Sequence, residues 1–306
     1  MMKYQKFLFT ISITLFLSLY NTYTIAKTPV KNVSSTNTNG SSYYLKDNPP
    51  TALETRVKKE DAILSNPLGI VFYNPNYIMP FYYTWKPDQS VYAGETPNDQ
   101  PIDRKDFKAQ ISFLVPLWHD VAKIHTLDLN FAYTQLFYWQ FYVSSQYFRE
   151  TNYEPEVFLS WQPSTRLLTK FGIVHQSNGK GGSMERSWNR IYLDLIFSGE
   201  HWIFSVKPWI LIFKPRSSNI HNPDIADYLG HERFVFAYKF PYSTISLTVR
   251  NIERPRRTTF IGDITFPITK HISGYIQGFS GYGQSLIEYD HRTNAAGIGI
   301  SLSDWI

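Results

Sequence analysis

A chain of 306 residues without a single cysteine excludes a disulfide-stapled scaffold and an anchor attached through a lipidated cysteine. Its formal charge of +5 is mild and no Lys/Arg block accompanies it, so nucleic acid is excluded as a partner class. The 22 Tyr, 22 Phe and 8 Trp point elsewhere: past the N-terminus no apolar run is long enough to span, yet aromatics on this scale suit the two interfacial girdles of a transmembrane β-barrel.

The chain opens with Lys3 and Lys6, an apolar run from Phe7 to Tyr20, and small residues at Thr24-Ile25-Ala26. That layout predicts a secretory signal peptide over residues 1–26; a retained anchor is the alternative, against which the short apolar run argues. Cleavage there removes two Lys and no acid, which lowers the formal charge from +5 to +3. Residues 27–66 begin "KTPVKNVSSTNTNGSSYYLKDNPP" and show no periodicity, so they are expected to form a flexible polar segment.

From residue 67 to the end the pattern alternates. In "TLDLNFAYTQLFYWQ", Leu127, Leu129, Phe131, Tyr133, Phe137 and Trp139 share one face, with Asp128, Asn130 and Thr134 opposite. In "NRIYLDLIF", Ile191, Leu193, Leu195 and Phe197 face away from Arg190, Tyr192 and Asp194. Segments of about ten residues with this dyad predict an all-β fold, a transmembrane antiparallel β-barrel of about twelve strands over 67–306. A secreted β-sandwich or soluble barrel would alternate in a similar way. Gln135 falls in phase with the apolar face of its strand. It either joins two protein surfaces within the membrane or is turned inward by a bulge.

The stretch "HQSNGKGGSMERSWNR" ends one strand and begins the next. His175 and Ser177 are in phase with Phe171 and Ile173, and Asn189 with Ile191 and Leu193, so all three project to the lipid-facing side. A hairpin symmetrical about residue 182 opposes His175 and Asn189, with Cβ atoms about 5 Å apart. These are the parts of an acyl hydrolase: a serine nucleophile, an imidazole that takes its proton, and an amide that fixes the tautomer. A neutral amide cannot stabilise imidazolium by charge, so charge stabilisation would have to come from backbone N–H groups and a metal. Spacing alone does not separate this reading from a polar hairpin tip built on Asn-Gly. There is no G-x-S-x-G elbow, which excludes an α/β-hydrolase.

The block "HQSNGKGGSMERSWNRIY" resembles the signature of outer membrane phospholipase A, the calcium-dependent phospholipid hydrolase of Gram-negative bacteria. "NPLGIVFYNPNYIMP", "DFKAQISFLVPLW", "FRETNYEPEVFL", "NPDIADYLG" and "PITKHISGYIQGFSGYGQSLIEYD" resemble further blocks of that family, in its order. The resemblance implies a twelve-stranded outer-membrane barrel with its site on the outer surface, towards the outside of the cell. It implies hydrolysis of sn-1 and sn-2 acyl esters of phospholipids and of lysophospholipids. The nucleophile falls on Ser177, the base on His175 and the orienting amide on Asn189, with the backbone N–H of Ser177 in the oxyanion hole. Activity gated by a calcium-binding homodimer is also implied, with ligands from the Lys180 carbonyl, Glu185 and the partner's copy of Ser145. The family's dimer glutamine falls on Gln135.

Three departures stand out: Glu185 where the family usually carries Ser, Lys180 where it carries Arg, and a C-terminus "SDWI" with Trp305 one place before the end. Two other classes remain to be discriminated. A passive pore or structural barrel would conduct without releasing fatty acid, and a soluble secreted lipase would be recovered outside the membrane fraction. The other histidines lack metal spacing, and "RPRR" at 254–257 is expected to be a solvated loop tip.

Overall fold

The computed structural model describes residues 49–64, 71–212, 221–269 and 271–306. The expected signal peptide and positions 27–48 of the polar segment lie outside the described residues. The described chain forms a closed antiparallel β-barrel of twelve strands. A two-residue strand β1 (Val71–Phe72) precedes β2 (Asn76–Thr84), β3 (Lys105–Trp118), β4 (Leu127–Gln140), β5 (Tyr147–Ser164), β6 (Leu167–Ser177) and β7 (Ser187–Ser198). The wall continues through β8 (Trp202–Ile212), β9 (Glu232–Phe240), β10 (Ser243–Arg250), β11 (Thr259–Pro267), β12 (Ser273–Tyr282) and β13 (Arg292–Ser303). Each of β2 to β13 pairs with its neighbour in sequence, and β13 pairs back onto β2, which closes the wall and leaves no edge among them. β1 adds a short pairing to β3.

The two ends of the barrel differ. Turns such as 165–166 and 241–242 are tight, whereas 85–104, 178–186 and 283–291 at the opposite end are long. The alternation read from the sequence is the alternation of the wall. On β6, Phe171 and Ile173 are 42% and 47% exposed while Gly172 and Val174, which alternate with them, are buried. The interior is polar and cross-linked. Buried Arg149 forms ion pairs with Asp106 at 3.0 Å and Glu288 at 2.9 Å, and Lys207 pairs with Glu156 at 3.3 Å. Charges placed this deep need such partners, because an unpaired buried ion costs several kcal/mol, on the order of 3–5 when one member of a pair is removed.

The segment 27–66, expected to be flexible throughout, contains a helix, α1 (Ala52–Leu64), at the short-turn end. Its start is a capping box: Thr51 N donates to Glu54 Oε2 at 2.8 Å and Glu54 N donates to Thr51 Oγ1 at 3.1 Å. Ala52 N then donates to Gly199 O at 2.9 Å, which ties the helix to the β7–β8 turn. Arg56 reaches the backbone carbonyls of Tyr73 at 2.8 Å and Trp305 at 3.3 Å. Trp305 and Ile306 pack against Ala52, Ile203 and Ala237. The final aromatic is thus part of the cap on this end of the barrel.

Candidate active site

The β6–β7 hairpin pairs without interruption from Leu167 opposite Phe197 to Ser177 opposite Ser187, and sets His175 directly across from Asn189. Inward side chains fix that register. Gln176 Oε1 accepts hydrogen bonds from Trp188 Nε1 at 2.7 Å and Arg190 Nη2 at 3.3 Å, and the Arg190 guanidinium lies 4.0 Å from the Trp188 ring centroid. Gln176 sits between His175 and Ser177, and Trp188 and Arg190 flank Asn189. A slip of one residue would therefore exchange the two faces and break these bonds at once. Gln176 and Trp188 do not stand out as site residues in the sequence. The one signal for them is their alternation with His175, Ser177 and Asn189.

On the outward face His175 Nδ1 and Asn189 Oδ1 are 2.8 Å apart, and both residues are half-buried. An amide oxygen only accepts, so the contact fits a ring with its proton on Nδ1, the tautomer that in neutral imidazole has its lone pair on Nε2. Ser177 lies on the same face two residues along, about 7 Å from His175 by strand geometry. Among the described residues no hydrogen bond joins the imidazole to its hydroxyl. The β5–β6 register pairs Tyr153 with Ser177 and Glu156 with Val174, which sets Pro155 across from His175. Lacking an N–H, Pro155 interrupts the ladder there.

The turn after Ser177 is held both by its own side chains and by the barrel interior. Asn178, almost fully buried, donates from Nδ2 to Met184 O at 2.8 Å and accepts from Arg186 N at 3.0 Å. Gly179 has φ +65°, and a Cβ there would meet Tyr153 Cε2 at 2.8 Å. Lys180 Nζ donates to Arg149 O at 2.6 Å and stands 3.4 Å from Glu150 Oε2. Tyr92, in the β2–β3 connection, accepts from Arg149 Nη1 at 2.9 Å. Burial, with Glu288 and Glu150 beside it, pushes the Tyr92 phenol well above its ordinary range, so it remains neutral.

The residues expected to bind calcium divide between two connections. Lys180 and Glu185 share the β6–β7 turn, and Ser145 lies on the β4–β5 connection, where Asn98 Nδ2 donates to its hydroxyl at 3.0 Å. Among the described residues neither the Lys180 carbonyl nor the half-buried Glu185 carboxylate accepts a hydrogen bond. A free carboxylate and a free carbonyl on one turn are hard oxygen donors of the kind calcium takes, so the residues present fit that ion. Gln135 stays in phase on the outward face. The β3–β4 and β4–β5 ladders are continuous through it, opposite Ile111 and Tyr153, with the bulge placed later at Tyr138/Trp139. Tyr133 Oη donates to its amide oxygen at 3.0 Å. No bulge turns Gln135 inward. Arg254 and Arg257 of the "RPRR" tip pair with Asp227 at 2.8 and 4.0 Å.

The sequence profile of the Phospholipase A1 family matches residues 53–302. The phospholipase A1 of Klebsiella pneumoniae is 34% identical over 249 residues, which covers 78% of this chain and 84% of that protein. Among solved structures, the calcium-bound dimer of the Salmonella typhi outer membrane phospholipase aligns with a TM-score of 0.71 at 30% identity, covering 78% of this chain and 94% of that one. Outer membrane phospholipase A from Escherichia coli aligns with the same TM-score and identity and is covered to 99%.

Proposed function

This chain belongs to the phospholipase A1 family and has the barrel of its outer-membrane members; from that premise we propose that it is a calcium-dependent hydrolase of phospholipid and lysophospholipid acyl esters, with Ser177 as nucleophile. The observation that carries the reading is the 2.8 Å contact between His175 Nδ1 and Asn189 Oδ1 on the lipid-facing side, two residues from a serine on the same face.

In this mechanism Asn189 holds the Nδ1–H, so His175 Nε2 is the base that takes the Ser177 hydroxyl proton as Oγ attacks the ester carbonyl. The backbone N–H of Ser177 faces the oxyanion of the tetrahedral intermediate. Collapse breaks the acyl–oxygen bond, and the imidazolium returns its proton to the departing glycerol oxygen. Water, deprotonated by the same imidazole, then releases the fatty acid and restores the serine. Asn189 orients the ring and carries no charge, so it does not offset the imidazolium as a carboxylate would. The Lys180 carbonyl, the Glu185 carboxylate and Ser145 of a second copy would hold calcium, which when bound supplies positive charge for the oxyanion.

Long loops mark the cell-surface end of outer-membrane barrels, and Ser177 ends β6 at the long-loop end, which supports a site towards the outer leaflet. Gln135 on the outward face suits a homodimer contact within the membrane. The test is fatty-acid release from phospholipid micelles with calcium. Wild type is expected to hydrolyse, and Ser177→Ala to lose hydrolysis while the folded barrel keeps its heat-modifiable migration. Full activity in that variant overturns the assignment.

A further inference from the structure

The geometry points to Glu150 and Lys180 as a positioning pair that holds the turn after Ser177 in its working conformation. This inference rests on the reading of Ser177 as the nucleophile.

Glu150 is fully buried near the start of β5. Its Oε1 accepts from Asn152 Nδ2 at 2.8 Å and from Ile287 N at 3.1 Å. Its Oε2 accepts no hydrogen bond among the described residues, and the cation beside it is the Lys180 ammonium at 3.4 Å. A carboxylate this deep needs a compensating cation. The buried guanidinium next to it in sequence is committed elsewhere, because Arg149 is taken up by Asp106, Glu288 and Tyr92. Lys180 is thus the residue available for Glu150, and it arrives three positions after Ser177.

The ammonium occupies a built socket. It donates to Arg149 O at 2.6 Å and lies 5.4 Å from the centroid of the Tyr92 ring, with the Glu150 carboxylate beside it. Among the described residues the rest of the turn makes no other side-chain hydrogen bond or ion pair outside the hairpin; its second anchor is apolar, Met184 packing with Tyr92, Ile102 and Ile287. Asn178 makes its side-chain bonds within the hairpin, to Lys180, Met184 and Arg186, and positions 179 and 181 are glycines. Gly179 at φ +65° adds a swivel between the strand end and Lys180. Without the Lys180 anchor, the backbone between the end of the Ser177–Ser187 ladder and the Lys180 carbonyl loses its polar link to the barrel interior. Through Asn152, which accepts from Leu286 N at 2.9 Å, the same network also ties down the β12–β13 connection.

The experiment compares Lys180→Met, which keeps the aliphatic stem and the backbone carbonyl, with Lys180→Arg and with the double variant Lys180→Met/Glu150→Gln. In Lys180→Met, kcat is expected to fall by roughly 10- to 100-fold with KM within about twofold, the pattern of a displaced catalytic group. Hydrogen exchange across residues 177–186, measured without calcium, is expected to accelerate, while heat-modifiable migration shows the barrel intact. Lys180→Arg is expected to restore both readouts, and Glu150→Gln added to Lys180→Met to cost little more. Unchanged exchange and turnover in Lys180→Met would overturn the pair, as would independent, multiplying losses in the double variant. Ser177→Ala is run beside them. Hydrolysis by Ser177→Ala removes the nucleophile reading and this role with it. An inactive Ser177→Ala beside a fully active Lys180→Met overturns the positioning pair alone.

Discussion

His175 and Asn189 face each other near the end of the β6–β7 ladder, Nδ1 to Oδ1 at 2.8 Å, on the outer face of the barrel wall. Because the amide fixes a tautomer and carries no charge, its removal frees the ring without uncovering a buried ion. Asn189→Ala is expected to lower kcat by roughly 10- to 100-fold and leave the barrel folded. Asn189→Asp, which still accepts from Nδ1, is expected to retain more activity than Asn189→Ala. Steady-state rates on micellar phospholipid check both.

Gln176 gives a second expectation from the opposite face. Its Oε1 satisfies Trp188 Nε1 at 2.7 Å, and Gln176→Leu leaves that donor without an acceptor inside the wall. The cost is about 1–3 kcal/mol, as for other orphaned polar groups. It should appear as a lower midpoint in heat-modifiability, together with lower kcat, since the same side chain holds the register of His175 and Ser177.

These residues also show how far the sequence can be taken. Alternation through Leu127–Trp139 and Ile191–Phe197 is enough to predict an antiparallel barrel of about twelve strands, because a wall between lipid and a polar lumen imposes period two on every strand. The same phase places His175, Ser177 and Asn189 outward and His175 opposite Asn189. The lumen is not legible. Arg149, Asp106 and Glu288 come from β5, β3 and the β12–β13 connection, and nothing local announces that they meet. The facing of Gln135 depends on where β4 bulges, which only the register reveals. Helix α1 is hidden even though Thr51-x-x-Glu54 is in view, because the polar, Ser- and Thr-rich stretch before it masks the capping box.

Gly179 couples a positive φ of +65° to a close approach, with Tyr153 Cε2 at 2.8 Å from where a Cβ would stand. Gly179→Ala is strained on both counts, by about 1 kcal/mol from the backbone before the ring is displaced. The expected outcome is a folded barrel with reduced turnover, measured by fatty-acid release. Unchanged turnover would show that the turn tolerates a different path.

Calcium dependence should track Glu185. Its carboxylate is free among the described residues, and ligand charge sets calcium affinity in sites of this kind. Chelation is expected to abolish hydrolysis reversibly. Glu185→Gln is expected to raise the calcium concentration for half-maximal activity by about tenfold, with kcat at saturating calcium little changed. A calcium titration of both proteins decides it.

Thr51→Ala removes one half of the capping box that starts α1, where Glu54 N donates to Thr51 Oγ1 at 3.1 Å. A loss of about 1 kcal/mol is expected. It should be visible as faster proteolysis at residues 52–64, with phospholipid hydrolysis unaffected at the far end of the barrel.

The most direct test of the central claim is covalent. A long-chain alkylsulfonyl fluoride, presented in micelles with calcium, should sulfonylate one serine, and peptide mass mapping should find the adduct on Ser177 in step with lost activity. An adduct on a different serine, or full inactivation with Ser177 unmodified, would contradict a lipid-facing Ser177 as the nucleophile.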